Sequence, residues 1–177
     1  MKPLIDWLAH YRAFWTEHIG RLEGLLEKRR MKPLDKTAPA QTDAVSFELD
    51  LHHSPKKVWR ALTDPTLLNE WLLPSVGFKP EAGTEFTLRA PPVGGWDGTV
   101  NCRMLEVEAE KKIRYAWIVG DFIDSVVTFT LTPTASGTLL SIVQSGFKPN
   151  QKQNFGGARY GWRLMGGRLV DLLERLS

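Results

Sequence analysis

The segment from Ser54 to Trp71 constrains the fold of this 177-residue chain more than any other, because it carries two helix start signals in series. Ser54 can cap a helix whose first residue is Pro55, a position where the missing N–H of proline costs nothing. Asp64 and Pro65 repeat this signal further along the chain. The sequence therefore predicts two short helices, one directly after the other.

Alternating apolar and polar residues before and after this helix pair predict a sheet. Residues 45–51 alternate regularly, as the residues of a half-buried strand do. After the helices, short turn-rich connections separate the candidate strands, which favours an antiparallel meander. These candidate strands lie at 84–90, 98–108, 112–119, 125–132 and 138–146, with a short one near 77–80. A single apolar face over residues 154–176 predicts a long helix after the last strand.

The charge balance and the cysteine content limit the classes of function. Lys and Arg number 23 against 20 Asp and Glu, and the net charge of +3 is too even to indicate a nucleic-acid partner. Cys102 is the single cysteine, which excludes an intramolecular disulfide and fits a reducing compartment. The first residues do not form the apolar core of a signal peptide, and no run approaches the ~20 apolar residues of a membrane span. We therefore expect a soluble, cytoplasmic protein.

Residues 4–29 form a separate pattern that predicts an amphipathic helix with a wide apolar stripe. Such a stripe has to pack either against the rest of the chain or against a second chain. Residues 31–43 carry prolines, charges and small polar residues without a period, which is typical of a linker. The sequence thus divides the chain into an N-terminal helix at 1–30, a linker at 31–43 and a domain at 44–177.

Several motifs of that domain resemble the START-like (SRPBCC) superfamily, specifically its branch related to the activator of the ATPase of the ninety-kilodalton heat-shock protein. They are Pro-x-x-Val-Trp-x-Ala-Leu-Thr-Asp-Pro at 55–65, Val-Val-Thr-Phe-Thr-Leu-Thr-Pro at 126–133 and Gln-Ser-Gly-Phe at 144–147. The resemblance implies an α+β helix-grip fold, in which a curved antiparallel sheet of about six or seven strands wraps around the long C-terminal helix. It also implies a cavity between the sheet and that helix.

The N-terminal stripe has a resemblance of its own. Residues 6–27 are similar to the C-terminal helix of ArsR-type repressors, which helps to pair two subunits. The DNA-reading part of those repressors has no counterpart in this sequence. The resemblance therefore implies a homodimer through residues 4–29, and the alternative is a helix that packs back on its own domain.

The implied cavity predicts the residues of a ligand site. If strand alternation holds, aromatic and apolar side chains from neighbouring strands share one face of the sheet with Gln144, and the long helix closes over them. A mostly apolar lining with a few polar groups is typical of small-molecule sites. The candidate ligand-binding residues are Trp71, Phe86, Leu88, Trp96, Arg103, Tyr115, Trp117, Phe129, Leu131, Ile142, Gln144, Trp162, Met165 and Leu169. The alternative is that these side chains only fill the core.

Two of these candidates depend on less regular segments. Trp96 lies in the loop at 90–98, where two prolines and three glycines predict either a lid over the cavity or a plug against the sheet. Arg103 could place a polar group at the cavity rim, although an exposed face of the strand also accounts for it. Many relatives carry histidine at the position of Gln144, so a proton-transfer role is weakened there while hydrogen bonding remains open.

The leading hypothesis is the binding of a hydrophobic or aromatic small molecule without metal or cofactor. Adjacent His52 and His53 point to opposite faces of a strand, which argues against a metal site. No recognisable catalytic motif is present, which argues against an enzyme. The alternatives are a cyclase- or aromatase-like enzyme of the same superfamily, and a protein-interaction module that acts as a co-chaperone or with a regulator. The sequence does not identify the ligand.

Overall fold

The computed structural model of the protein describes residues 34–37, 44–90, 97–121, 123–148 and 152–176, with side chains in the last range from residue 158 onward. The amphipathic helix predicted at 4–29 therefore lies outside the described residues, and so does Trp96 in the predicted lid. The homodimer that depends on residues 4–29 stays a prediction.

The described residues form an antiparallel sheet of eight strands, two short helices and one long helix. In chain order the elements are β1 (Leu34–Asp35), β2 (Ala44–Leu51), α1 (Pro55–Thr63), α2 (Pro65–Trp71), β3 (Ser75–Val76), β4 (Glu85–Arg89), β5 (Thr99–Glu108), β6 (Lys112–Val119), β7 (Ile123–Pro133), β8 (Thr138–Ser145) and α3 (Lys152–Arg175). The strand order across the sheet is β1-β2-β8-β7-β6-β5-β4-β3. The predicted α+β class, the antiparallel meander and the long C-terminal helix are confirmed.

The two helices in series begin where the sequence predicts. The Ser54 side chain accepts a hydrogen bond from the backbone N–H of Lys57 at 3.2 Å and caps α1. Asp64 ends α1, because its own backbone N–H donates to the carbonyl of Arg60. Its carboxylate then accepts from the backbone N–H of Thr66 at 2.9 Å and caps α2. One residue therefore closes the first helix and opens the second, which fixes the sharp change of direction between them.

Strand alternation separates the two faces of the sheet. In β6, Tyr115 and Trp117 are buried while Arg114 and Ala116 between them are only half-buried. The same alternation continues across β7 and β8, so one face carries nearly all of the buried side chains. We call this the inner face. It is apolar because alternate residues of every central strand point to it.

Two details of the sheet differ from the sequence prediction. Leu34 and Asp35, inside the segment predicted to be a linker, pair with Glu48 and Phe47 of β2 and add an edge strand. Two residues are too short to show an alternating pattern, so this strand depends on its neighbours. The short strand predicted near 77–80 lies instead at Ser75–Val76. The sheet thus has eight strands rather than six or seven.

The long helix α3 covers the inner face. The ring centroid of Trp162 lies 5.6 Å from that of Trp117 on β6 and 5.7 Å from that of Phe129 on β7. The far end of the helix is held by Lys57 of α1, whose Nζ donates to the carbonyl of Leu176 at 2.8 Å. Within the described residues, no helix is long and apolar enough to cross a membrane.

Candidate ligand site

Seven aromatic rings on the inner face form one connected cluster, which we call the aromatic cluster. Its members are Trp71, Phe78, Phe86, Tyr115, Trp117, Phe129 and Trp162. Neighbouring ring centroids lie between 5.0 and 6.5 Å apart. Such spacings are those of favourable edge-to-face and tilted aromatic pairs. The cluster joins α2, the sheet and α3 into one apolar interior.

Each ring reaches the cluster for a local reason. Tyr115 and Trp117 are two residues apart in β6, so both side chains point to the inner face. Trp71 is the last residue of α2, and its indole N–H donates to the carbonyl of Ala61 in α1 at 2.9 Å. That bond satisfies the one polar atom of a completely buried side chain. The helix pair thereby positions Trp71 against Phe129.

A chain of hydrogen bonds, which we call the polar chain, crosses one end of this apolar interior. The indole N–H of Trp162 donates to Gln144 Oε1 at 2.7 Å, and Gln144 Nε2 donates to Ser125 Oγ at 2.9 Å. Ser125 Oγ then donates to the backbone carbonyl of Trp117 at 2.8 Å. All of these side chains are buried. Because an indole N–H can only donate, it fixes which end of the Gln144 amide is oxygen.

The polar chain leaves one hydrogen of the Gln144 amide uncommitted. A glutamine Nε2 carries two hydrogens, and the described hydrogen bonds use one of them, toward Ser125. Its Oε1 already accepts from Trp162. Gln144 therefore keeps one unused N–H for its remaining surroundings, beside the second lone pair of its oxygen.

Tyr115 carries a second polar group inside the cluster. The residue is 2% exposed, and none of the described hydrogen bonds involves its hydroxyl. Burial, with a smaller contribution from Cys102, raises the pKa of Tyr115 well above its ordinary value. The phenol is therefore protonated throughout the neutral range and presents a hydrogen-bond donor.

The hydroxyl oxygen of Tyr115 is not completely enclosed by protein atoms. Among the described residues, only one side-chain nitrogen or oxygen is both completely enclosed and unpaired. It is Nε of Arg114, whose side chain lies on the opposite face of β6. The hydroxyl of Tyr115, which has no described partner, therefore keeps a small accessible surface although the residue as a whole is 2% exposed. Cys102 lies beside it on β5, and burial raises the pKa of that thiol as well.

The core is less tightly closed where the polar chain crosses it. Ala158, Trp117 and Phe147 are 7%, 5% and 4% exposed there. We call this region, with Ser125, Gln144 and Trp162, the polar end. Toward the opposite end of α3, five apolar side chains are at most 1% exposed. We call that region the closed end, and it consists of Leu51, Val58, Leu140, Leu169 and Leu173.

The structure brings most of the predicted site residues into this interior. The buried ones are Trp71, Phe86, Leu88, Tyr115, Trp117, Phe129, Leu131, Ile142, Gln144, Trp162, Met165 and Leu169. Arg103 is not among them, because Cys102 and Met104 on either side of it point to the core and alternation turns Arg103 outward, where it is exposed. Trp96 lies outside the described residues. Ligand binding by the buried residues stays a prediction.

Two contributors were missed by sequence reasoning. Ser125 shares the inner face with Phe129 and Leu131 of the same strand, so the alternation of β7 could have found it. Phe78 follows the short strand β3. Its ring centroid lies 5.0 Å from that of Phe86 and 6.5 Å from that of Tyr115. No periodic signal marks Phe78, because it lies in a connection rather than in a strand.

A surface depression of about 580 Å³ lies apart from this interior, along the outer side of α1. It is lined by Ser54, Lys56, Lys57, Trp59, Arg60, Thr63 and Glu110. Lys57 is committed there to His53 and to the carbonyl of Leu176. The depression contains none of the predicted site residues.

Comparison with known proteins gives a family and several solved structures. Residues 52–174 match the family described as Activator of Hsp90 ATPase homolog 1-like protein. No curated protein matches the chain. Protein MLL2253 from Mesorhizobium loti is 42% identical, with 76% of this chain and 98% of that chain covered and a TM-score of 0.70.

Two further solved structures share the fold at lower identity. Protein CV1439 from Chromobacterium violaceum is 26% identical over 76% of this chain and 99% of that chain, with a TM-score of 0.61. CalU16 from Micromonospora echinospora is 21% identical over 82% of this chain and 85% of that chain, with a TM-score of 0.63. At the identity of CalU16 the likeness concerns the fold alone.

Proposed function

Because the chain belongs to the family of Activator of Hsp90 ATPase homolog 1-like proteins, whose domains have a helix-grip-like α+β fold that typically binds ligands, we propose that it binds a hydrophobic or aromatic small molecule. The molecule would lie between the sheet and α3, at the polar end, against the rings of Trp117 and Trp162. Binding needs no metal or cofactor in this proposal.

The polar chain inside the aromatic cluster is the observation that carries the proposal. Placing an amide and a hydroxyl in an apolar interior costs free energy unless every group is paired. A core selected only for stability would be served as well by Leu or Val at 125 and 144. Small-molecule sites, in contrast, combine apolar walls with a few oriented polar groups. Gln144, held by Trp162 and Ser125, matches that description.

The looser closure of the polar end supports the same location. Ala158, Trp117 and Phe147 keep a few per cent of exposed surface, while the closed end keeps almost none. Room for a ligand at this end is part of the proposal, and these three slightly exposed side chains are where it would lie. The ring centroids of Trp117 and Trp162 are 5.6 Å apart there.

A substitution that fills this room tests the proposal. Native mass spectrometry of the full chain, followed by titration calorimetry with a neutral aromatic probe such as 2-acetylnaphthalene, measures occupancy and affinity. Ala158→Phe adds a ring at the polar end, and we expect it to weaken probe binding by at least about tenfold, because a ligand and the new ring cannot occupy one space. Leu139→Phe on the outer face of β8 is the matched control and should leave affinity unchanged.

The two alternatives give different results in the same experiments. Chemical conversion of an aromatic or polyketide-like ligand would support a cyclase-like enzyme. A probe that binds the two variants equally would contradict the proposed location. The absence of any bound small molecule and of any probe binding would contradict the proposed function and favour a protein-interaction module.

A further inference from the structure

We infer that the site selects uncharged ligands that carry a hydrogen-bond acceptor, such as a carbonyl oxygen, and that the hydroxyl of Tyr115 donates to it. This inference rests on the proposed function and adds a specificity-determining residue to it. Three features suit Tyr115 to this role: the fixed position of its ring, its hydroxyl without a described partner, and the uncharged interior around it.

The ring of Tyr115 is held from several sides. Its centroid lies 5.2 Å from that of Phe86, 5.8 Å from that of Phe129 and 6.5 Å from that of Phe78. Neighbours on two strands and in the connection before β4 leave the ring little freedom to turn. The direction of its C–O bond is therefore set by the fold before any ligand arrives, which reduces the entropy cost of using it.

The hydroxyl at the end of this ring lacks a described partner. Buried polar groups are paired in about nine cases out of ten, and an unpaired one costs about 1–3 kcal/mol. Since the oxygen of Tyr115 is not completely enclosed, an acceptor atom can reach it. A ligand oxygen placed there would recover that free energy, whereas a hydrocarbon would not.

The unused hydrogens of the described interior are the hydroxyl hydrogen of Tyr115 and the second amide hydrogen of Gln144. The oxygen of Gln144 already accepts from Trp162, and the oxygen of Ser125 takes part in two bonds. Each of these two oxygens keeps a lone pair, but neither lies in a described bond with the unused hydrogens. A ligand oxygen would pair a hydrogen that is otherwise unused.

The described part of the interior also lacks a charge that could neutralise an ionic ligand. Its buried polar side chains are Ser125, Thr138 and Gln144, none of which is charged. Thr138 is committed to the carbonyl of His53 at 2.7 Å. Arg103, the predicted charge at the rim, is exposed on the other face. A buried carboxylate without a partner is strongly disfavoured, so an anionic ligand should be rejected.

Three probes of nearly identical shape test this specificity in the full chain. They are 2-acetylnaphthalene, which carries a carbonyl, 2-isopropenylnaphthalene, which replaces its oxygen by a CH₂ group, and the anion 2-naphthoate. Titration calorimetry should give the ketone roughly a tenfold lower Kd than the alkene, since one buried donor is paired only by the ketone. The naphthoate should bind more weakly than both.

Tyr115→Phe then assigns the preference to one atom, because it removes the hydroxyl and keeps the ring. We expect the ketone to lose its advantage while the affinity for the alkene stays unchanged. Tyr160→Phe, a half-buried tyrosine of α3, is the matched control and should keep the wild-type ratio. Thermal unfolding without ligand verifies that both variants are folded.

The outcomes separate this inference from the proposed function. Equal affinity of the wild-type chain for ketone and alkene would overturn the inference and leave hydrophobic binding in place. A ketone preference that survives Tyr115→Phe would overturn the role of Tyr115. Tighter binding of naphthoate than of the ketone would overturn the exclusion of anions. If none of the three probes binds, the proposed function fails and this inference fails with it. The wild-type ratio decides the ligand class even if Tyr115→Phe does not fold.

Discussion

The closed end and the polar end belong to one core but differ in the polarity of their buried side chains. At the closed end, Leu140, Leu169 and Leu173 are completely buried and entirely apolar. At the polar end, Gln144 and Ser125 stand among aromatic rings and are joined by hydrogen bonds of 2.7–2.9 Å. The helix α3 runs from one end to the other. It contributes leucines to the closed end and Trp162 to the polar end.

This difference assigns different expected roles to the two ends. Apolar burial contributes roughly 25 cal/mol per Å² and needs no particular orientation, so the closed end can stabilise the fold without any specificity. The polar chain contributes little net stability, because each hydrogen bond replaces one with water. It does impose directions on its donors and acceptors. We therefore expect substitutions at the closed end to change the free energy of unfolding most, and those at the polar end to change it less and to change binding as well.

The largest effect should come from a cavity at the closed end. Leu173→Ala removes a completely buried side chain between α3 and the sheet, and we expect the free energy of unfolding to fall by about 2–5 kcal/mol. Denaturant unfolding measures this change. Leu176→Ala, three residues later and only partly buried, is the control and should cost clearly less. A loss below about 1 kcal/mol for Leu173→Ala would contradict the tight packing of this end.

A smaller effect should follow when the polar chain is cut. Gln144→Leu leaves the buried indole N–H of Trp162 without its acceptor, which should cost about 1–3 kcal/mol of unfolding free energy. Trp162→Phe removes that orphaned donor. The double variant should therefore lose less unfolding free energy than the two single variants lose together. A double-mutant cycle measures the coupling. Additive losses would mean that this hydrogen bond contributes nothing to the polar end.

The smallest effect should be a pH dependence that belongs to the closed end. Burial, followed by the charge of Lys57, lowers the pKa of His53 below its ordinary 6.5; Glu174 opposes this shift and His52 adds to it. The unfolded chain therefore takes up a proton first as the pH falls. The contribution of His53 to stability is complete above 6.5 and is lost as the pH drops through the lowered pKa.

Thermal unfolding between about pH 7 and about pH 5 tests this dependence. The wild-type chain should lose stability over that interval, and His53→Gln should lose less of it. His52→Gln at the exposed neighbouring position is the control and should stay close to the wild type, because His52 is the smallest contributor to the lowered pKa of His53. Probe binding at the polar end should not change over the interval, because the pKa of Tyr115 is raised and Gln144 does not titrate. A binding affinity that follows the unfolding curve would contradict the separation of the two ends.

Much of the fold could be predicted from local patterns. The caps at Ser54 and Asp64 placed both short helices, and alternation placed the five long strands after them within about two residues. Leu34–Asp35 was not found, because a two-residue edge strand has no pattern of its own and exists through its pairing with β2. Its Asp35 also pairs with Arg159 of α3 at 2.6 Å, a contact between residues far apart in the chain.

The candidate site was predicted in outline but not in its connections. Alternation correctly placed Tyr115, Trp117 and Gln144 on the inner face, and the same rule turns Arg103 outward. The resemblance drew attention to the position of Gln144 but did not supply its partners. Ser125 and Trp162 lie on different elements, and only the register of β7 against β8 and the placement of α3 bring them to one amide.

Local sequence patterns account for the two short helices, the long strands and the C-terminal helix, for their order and for most of the side chains that face the core. Those properties follow from backbone geometry over a few residues, through the period of a strand, the period of a helix and the chemistry of a cap. The tertiary structure alone decided that Trp162, Gln144 and Ser125 form a chain, and that the hydroxyl of Tyr115 lacks a described partner. Hydrogen bonds require atoms within about 3 Å of each other, and that distance is set by packing between segments remote in the chain, not by any local pattern.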